Sequence, residues 1–487
     1  MRQWTYDEFQ QNNRKLNNYL QNVENAIVLL CANDSCAVKQ LSSMLKEKFN
    51  FECIDYKANG SPFFSLLDIY KDENRHKLCF YNLADEAVNY DLVKTINLAR
   101  DVLRKVGIVV FIVPAFIMEK IQMENPNLYD YITLCLNYNI SYKNHLKPVY
   151  SEENRYFVPK KIRTARKAVA MANIPSKIQS VSDFYGYLES CQYANINTED
   201  VKQMITWLFD YMHENLEVLN YMNGKKEDYN EIRINLYMKT AEVFQQHRFF
   251  EQAIELYDEI LYLKKSEKGT GIDELEAIQG KAFCYYRMRA YKQAKVILEE
   301  LADKVKLLDN LTWLYKIYSD LGVCLLNQGQ MGKAREIWEK CALGLQETGE
   351  YNTVRHCRIL YNIMLASLSD NVSVKKYEQE WIILGEEIRQ NIGEDGLVYL
   401  DYMLMSSWIL LQEGKLESAH KYIVRIRQTA DVILPENDEK KIIINYIQAV
   451  IMLQQGEDGE YMYFLQRCRN SLKNHNELLP EYQDLLA

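Results

Sequence analysis

The chain has 487 residues, 48% of them apolar and 26% charged, which excludes a disordered protein and suits two to four folded domains. Its net charge of −9 argues against nonspecific nucleic-acid binding, which needs a basic surface. The eleven cysteines include no CxxC pair and no Cys/His cluster, so a zinc site is not expected and reduced thiols in a cytoplasmic protein are.

Residues 1–25 read as an Asn/Gln-rich amphipathic helix marked by Trp4, Phe9, Leu16 and Leu20, with no signal peptide. From 26 to 140 short apolar runs alternate with helical stretches. The runs are Ala26–Cys31, Phe51–Tyr56, Leu78–Tyr81 and Ile108–Val113, and the intervening helices are expected near 35–48, 62–71 and 91–106. This alternation predicts a small α/β domain with a parallel sheet. The fourth run is apolar on both parities, as a central strand buried on both faces requires. It extends as an apolar stretch to Met118, too short to cross a bilayer, so no membrane association is expected.

The turn after the first run, Cys31-Ala-Asn-Asp-Ser-Cys-Ala-Val-Lys39, stands where a nucleotide-binding domain carries its phosphate loop. Such a loop needs glycines for its backbone amides to wrap phosphate, then Lys followed by Ser or Thr. No glycine precedes Gly60, and Lys39 is followed by Gln40. The domain loosely resembles a degenerate P-loop-type NTPase domain that lacks this loop. That resemblance implies an inactive module such as those preceding helical repeats in bacterial signalling and defence proteins. Asp85 and Glu86, after the third run, read as caps of the next segment, and Arg100–Asp101 as a surface or helix-pairing charge pair. Neither catalytic residues nor a metal or cofactor are expected; the seven histidines include no metal-binding pair.

Residues 141–175 read as a linker containing Pro148, Pro159 and Pro175 and a basic patch of Lys160, Lys161, Arg163, Arg166 and Lys167. The patch is expected to be a solvated face. Its functional alternative is a phosphate contact by Lys160, Lys161 and Arg163, with Lys39 as a further candidate.

From 176 to 487 an all-helical array is expected, since no proline interrupts the chain between Pro175 and Pro435. This part carries the acidic excess, which favours neutral or basic partners. Internal copies are readable. The first has Tyr237, Ala241 and Phe244, then Phe250-Glu-Gln-Ala253 and Tyr257. The second has Ala282 and Tyr285, then Tyr291-Lys-Gln-Ala294 and Leu298. The third has Tyr318, Leu321, Gly322 and Leu325, then Met331-Gly-Lys-Ala334, Trp338 and Cys341. A fourth has Ser407 and Leu410, then Leu416-Glu-Ser-Ala419 and Ile423, and a degenerate copy near 357–390 (Cys357, Tyr361, Ala366, Trp381) fills the gap before it. Further hairpins are expected around 200–222 and 440–475. A small residue in each first helix and another early in each second helix let paired helices approach.

This pattern resembles the tetratricopeptide (TPR) family over roughly 230–430. The copies recur about every 40 residues against the usual period of about 34. The closing proline of the family pattern is missing. The resemblance implies an α-solenoid of about six or seven hairpins whose first helices line a concave groove. By the repeat register, Lys239, Tyr286, Arg287, Lys316, Ser319, Asn327 and Trp408 face that groove, where Lys316 and Asn327 would hold a peptide carboxylate or backbone. Aromatic and arginine side chains are frequent interface anchors.

The expected fold class is thus mainly α: a small N-terminal α/β domain followed by a TPR-like array. The function expected is protein or peptide binding by an adaptor or regulator without enzymatic activity, with self-association left open. Two alternatives stand beside it: a nucleotide-sensing switch whose α/β domain reports through the array, and a peptide-responsive transcriptional regulator. The latter lacks a readable helix-turn-helix at the N-terminus.

Overall fold

The computed structural model describes residues 6–56, 76–83, 89–124, 126–139, 142, 144–150, 181–191, 196–214, 226–265, 271–308, 310–347, 352–394, 396–434 and 438–473. The expected helix at 62–71, the pair Asp85–Glu86 and the basic patch at 160–167 lie outside the described residues. The chain divides into two compact units, one of residues 1–145, 403–430 and 436–487, the other of 146–402 and 431–435. No helix among the described residues is long and apolar enough to cross a membrane.

The first unit holds helix α1 (Tyr6–Gln21), strand β1 (Ala26–Cys31), α2 (Ser35–Phe49), β2 (Glu52–Asp55), β3 (His76–Tyr81), α3 (Asn89–Val106), β4 (Gly107–Val113), α4 (Ala115–Glu124), the single turn α5 (Pro126–Tyr129) and β5 (Leu134–Asn137). The strands form one parallel sheet in the order β2-β3-β4-β1-β5. Every residue of β1 and β4 is buried, which explains their unbroken apolar runs. One face of β1 (Val28, Leu30) packs with Leu16 and Leu20 of α1 and Ala37, Leu41 and Leu45 of α2. The other (Ile27, Leu29) packs with Val93, Ile96 and Leu103 of α3 and Phe116, Ile117 and Ile121 of α4. Short α2 starts sharply because the Asp34 carboxylate accepts the amides of Cys36 at 2.7 Å and Ala37 at 3.3 Å.

The second unit begins with α6 (Val181–Cys191) and α7 (Thr198–Glu214), then pairs helices into hairpins: α8 (Lys226–Gln246) with α9 (Phe250–Lys264), α10 (Ile272–Arg287) with α11 (Tyr291–Leu307), α12 (Leu311–Asn327) with α13 (Met331–Glu347), and α14 (Thr353–Ser369) with α15 (Glu378–Asn391). The array continues in sequence through α16 (Leu397–Glu413), α17 (Leu416–Ile433), α18 (Glu439–Gln455) and α19 (Asp458–Leu472). Small residues set the helix approach. Ala253, Ala294, Ala334 and Ala419 are all fully buried. A methyl group at Gly322 would lie 2.5 Å from the Trp338 ring, so α12 and α13 touch only because that position is bare. Gly344 makes the reciprocal space on α13 for Tyr315. Together these features make the helical part a tetratricopeptide-like repeat array.

Buried polar side chains tie successive first helices. The Gln245 amide of α8 donates to Gly280 O of α10 at 2.8 Å, and Gln279 of α10 donates to the Asp320 carboxylate of α12 at 2.9 Å. Such buried bonds fix the spacing of the first helices rather than merely gluing them.

All eleven cysteines are free, and only Cys36, Cys53 and Cys135 are partly exposed. Burial pushes the thiols of Cys31, Cys284, Cys324 and Cys468 up to about 12, since a thiolate there would lose its hydration. Iodoacetamide at about pH 8 should therefore label Cys36, Cys53 and Cys135 in the native protein and the other eight only after denaturation. Mass spectrometry of the labelled peptides reads this, and native labelling of Cys324 or Cys341 would place the repeat core in the wrong register.

Candidate functional site

On the second unit, the first-helix face is a surface built by side chains of α10, α12 and α14. The chain's own segment Leu146–Tyr150 lies against it. The Asn362 side chain, fully buried in the middle of α14, accepts the Val149 N–H through Oδ1 at 2.8 Å and donates through Nδ2 to the Val149 carbonyl at 2.9 Å. One amide thus satisfies both polar groups of a single backbone unit, the pattern by which a neighbouring strand would hold an extended chain. Next to it, the Tyr150 ring is fully buried, stacked on Tyr286 with centroids 5.1 Å apart and an interplanar angle of 18°, and edge-on to Phe283 at 5.1 Å. Leu146 and Val149 are buried as well.

One turn before Asn362 on α14 lies a cavity of about 620 Å³, lined by the N-terminal halves of α12 and α14 together with Leu345 of α13 and Asn391 and Ile392 at the end of α15. Arg355, Arg358 and Asn362 are spaced three and four residues apart, so they project from one side of α14. Lys316 and Ser319 of α12 line the cavity together with Arg355 and Arg358, and none of the lining residues is acidic. The Lys316 ammonium also lies 4.5 Å from the centre of the Trp313 ring, which holds it as a cation–π pair. A pocket lined by three cations at the end of a backbone clamp can receive a carboxylate or another anion.

The residues expected from the sequence to share a groove are only partly gathered here. Lys316 and Ser319 line the cavity, and Tyr286 carries Tyr150. Arg287 lies over the rings of Phe250 and Phe283. Lys239 is exposed on α8, and Asn327 donates to Val323 O in its own helix at 2.8 Å. Trp408 needs correction. It is 2% exposed and stacked on Tyr446 in the first unit, so it serves packing and has no open face to offer. Asn362, Arg355 and Arg358 were not anticipated. The available signal was the polar Asn362 set inside the apolar run Ile359-Leu-Tyr-Asn-Ile-Met-Leu365.

The other place where ligands gather in such a fold is the crevice beyond the carboxyl ends of the strands, where neighbouring strands send their connections to opposite faces. Here that point lies between β1, followed by α2, and β4, followed by α4. It is filled by protein. Asn33, after β1, accepts the Ala115 amide at 2.8 Å through Oδ1 and donates to Gln412 O, at the end of α16, at 3.1 Å. The α16–α17 turn at Gly414 packs on Asn33 and Pro114, and the α18–α19 turn at Gly456 packs on Ser35, with the Lys39 ammonium beyond it. A nucleotide entering there would have to displace both turns. Lys39 thus faces a helical turn of the same unit. No group of three or more His, Cys, Asp or Glu residues that could hold a metal is present among the described residues.

No protein-family model matches the chain, and no curated protein matches it significantly. Solved structures resemble it weakly. A signal transduction ATPase with numerous domains, carrying a tetratricopeptide repeat sensor, from Pyrococcus horikoshii is 10% identical, with 97% of this chain and 96% of that one covered at a TM-score of 0.35. A Rap protein complexed with competence and sporulation factor is 12% identical, covering 68% and 90% at 0.41. The TPR2AB domain of yeast Sti1, in complex with an HSP90 peptide, is 14% identical, covering 52% and 96% at 0.24. At such scores the repeat assignment stands on the helix pairing and small-residue contacts of this chain itself.

Proposed function

We propose that this chain is a regulatory or adaptor protein without catalytic activity, whose first-helix face binds an extended segment of a partner polypeptide. The observation that carries the reading is the Asn362 side chain, which holds both backbone groups of Val149. A buried amide aimed in this way recognises a chain by its backbone, whatever its sequence, and leaves specificity to the neighbouring pockets. The polar bonds between first helices keep the face preformed, so little ordering is lost on binding. The cavity at Lys316, Arg355 and Arg358 adds an electrostatic preference: although this half of the chain is acidic overall, the partner segment carries an acidic group at that point.

Two experiments follow. A photo-crosslinking amino acid at Thr312, which lines the cavity, should capture a discrete polypeptide in the chain's own cells, whereas the same group at exposed Val296 on α11 should not. Equal capture at both positions would sink the reading. Once a partner is in hand, the R355Q/R358Q pair should weaken its binding about ten-fold at low salt, and the difference should shrink as ionic strength rises. A salt-independent loss would mean that the arginines pack and do not attract.

A further inference from the structure

We propose that Leu146–Tyr150 is a resident occupant of the first-helix face, and that a partner takes its place with an extended segment presenting an aliphatic residue followed directly by an aromatic one. This inference rests on the peptide-recognition reading above and specifies its ligand. The segment belongs to no helix or strand, yet Leu146, Val149 and Tyr150 are buried. Pro148 fixes its own φ and holds Lys147 away from helical backbone, so the chain runs extended into Val149, where Asn362 reads it. Selectivity sits at the next residue, where Phe283 and Tyr286 present an edge and a face to one ring. A planar side chain is selected there over an aliphatic one, because only a ring completes the stack.

The contacts that read the segment are the Asn362 amide on Val149 and the ring pair on Tyr150. The repeat core is closed by other contacts: Ala294, Ala334 and the Gly322–Trp338 pair are buried between helices that do not include this segment. Lifting the segment would expose a recognition site and leave the hairpins paired. As part of the same chain the segment acts at high effective concentration, so it lowers the apparent affinity for any competitor by the fraction of time it occupies the face. A partner wins by matching the backbone and aromatic contacts and adding one at the cationic cavity, whose lining includes no residue of Leu146–Tyr150.

The test uses the full-length chain and a fluorescein-labelled synthetic peptide of its own sequence from His145 to Asn154, followed by fluorescence anisotropy. A variant carrying Val149→Gly and Tyr150→Ala vacates the face and should bind the probe about ten-fold more tightly than the wild type. Adding Asn362→Ala to that variant should abolish the gain. A second variant, Val149→Pro, keeps side-chain bulk but deletes the N–H that Asn362 accepts, and should bind the probe with intermediate affinity. Equal probe affinity for the wild type and the vacated variant would overturn the inference. So would collapse of the vacated variant's thermal transition, which would make the segment a permanent part of the core. Capture at Thr312 that persists alongside either result would leave the peptide-binding reading standing and remove only the resident-occupant one.

Discussion

In a chain whose resident segment carries Val149→Gly and Tyr150→Ala, so that it no longer competes, Asn362→Ala is expected to weaken partner binding by about 30- to 100-fold while lowering the melting temperature only by a few degrees. Two hydrogen bonds from one fixed amide contribute about 1–1.5 kcal/mol each, which together give a loss of that size in affinity. Stability should fall less, because the Val149 N–H and carbonyl regain water once the segment lifts away. An alanine in a helix centre also suits the backbone better than asparagine does. Asn362→Asp separates the two roles. It preserves shape and still accepts the N–H, but it cannot donate to the Val149 carbonyl and sets a negative charge against it. Its binding loss should equal that of alanine or exceed it. Titration calorimetry with the captured partner, beside thermal melts, reads both quantities. A large fall in melting temperature with unchanged affinity would make Asn362 a structural strut and nothing more.

Gly322→Val should be severely damaging, costing about 3–5 kcal/mol and melting the α12–α13 hairpin. A side chain at 322 meets the Trp338 ring, and that ring is fully buried with its indole N–H donating to Ser319 O at 2.9 Å. Overpacking of this kind typically costs about 1–3 kcal/mol, and displacing the ring adds the loss of a buried hydrogen bond. Trp338→Ala alone should cost about 3–5 kcal/mol through the cavity it leaves. The double change Gly322→Val/Trp338→Ala should cost less than the sum, because the added methyls enter the space the indole vacates. Hydrogen exchange in α12 and α13 against denaturant measures this. Additive effects would mean that Gly322 and Trp338 do not meet.

The repeats were legible because their packing rule acts locally. Ala253, Ala294 and Ala334 recur at the point where each second helix crosses its partner, and burial at those positions leaves no choice of residue. The degenerate copy was harder to read because Asn362 stands where the earlier first helices carry Ala241, Ala282 and Gly322, and no alanine opens its second helix, although Gly385 on α15 makes room for Tyr402 as Gly344 does for Tyr315. A search for a small residue in the first helix passes over it, and with it Asn362. The sheet followed the same logic. Strands β1 and β4, buried on both faces, announced themselves as apolar runs. Strand β5, an edge of four residues with only Leu136 fully buried, joins the sheet by backbone pairing with β1 and carries no pattern of its own.

The functional face was less visible for a different reason. Register places residues on a helix side, but it does not say whether another part of the chain already lies there. Trp408 has the register of a groove residue and the burial of a core one. Leu146–Tyr150 has the composition of a linker, yet it is the segment that displays how the face holds a chain. The acidic total of the repeat half likewise hid a cationic cavity, because net charge averages over surfaces that a partner meets one at a time.

The central claim is that the first-helix face binds a polypeptide and the α/β sheet binds no nucleotide. Affinity purification of the full chain from its own cells, with mass spectrometry of both proteins and small molecules, tests it most directly when wild type and Asn362→Ala are run side by side. The predicted result is a stoichiometric polypeptide on the wild type that is depleted on the variant. A nucleotide retained by both, with no polypeptide on either, would contradict the account and move the functional centre to the crevice between β1 and β4.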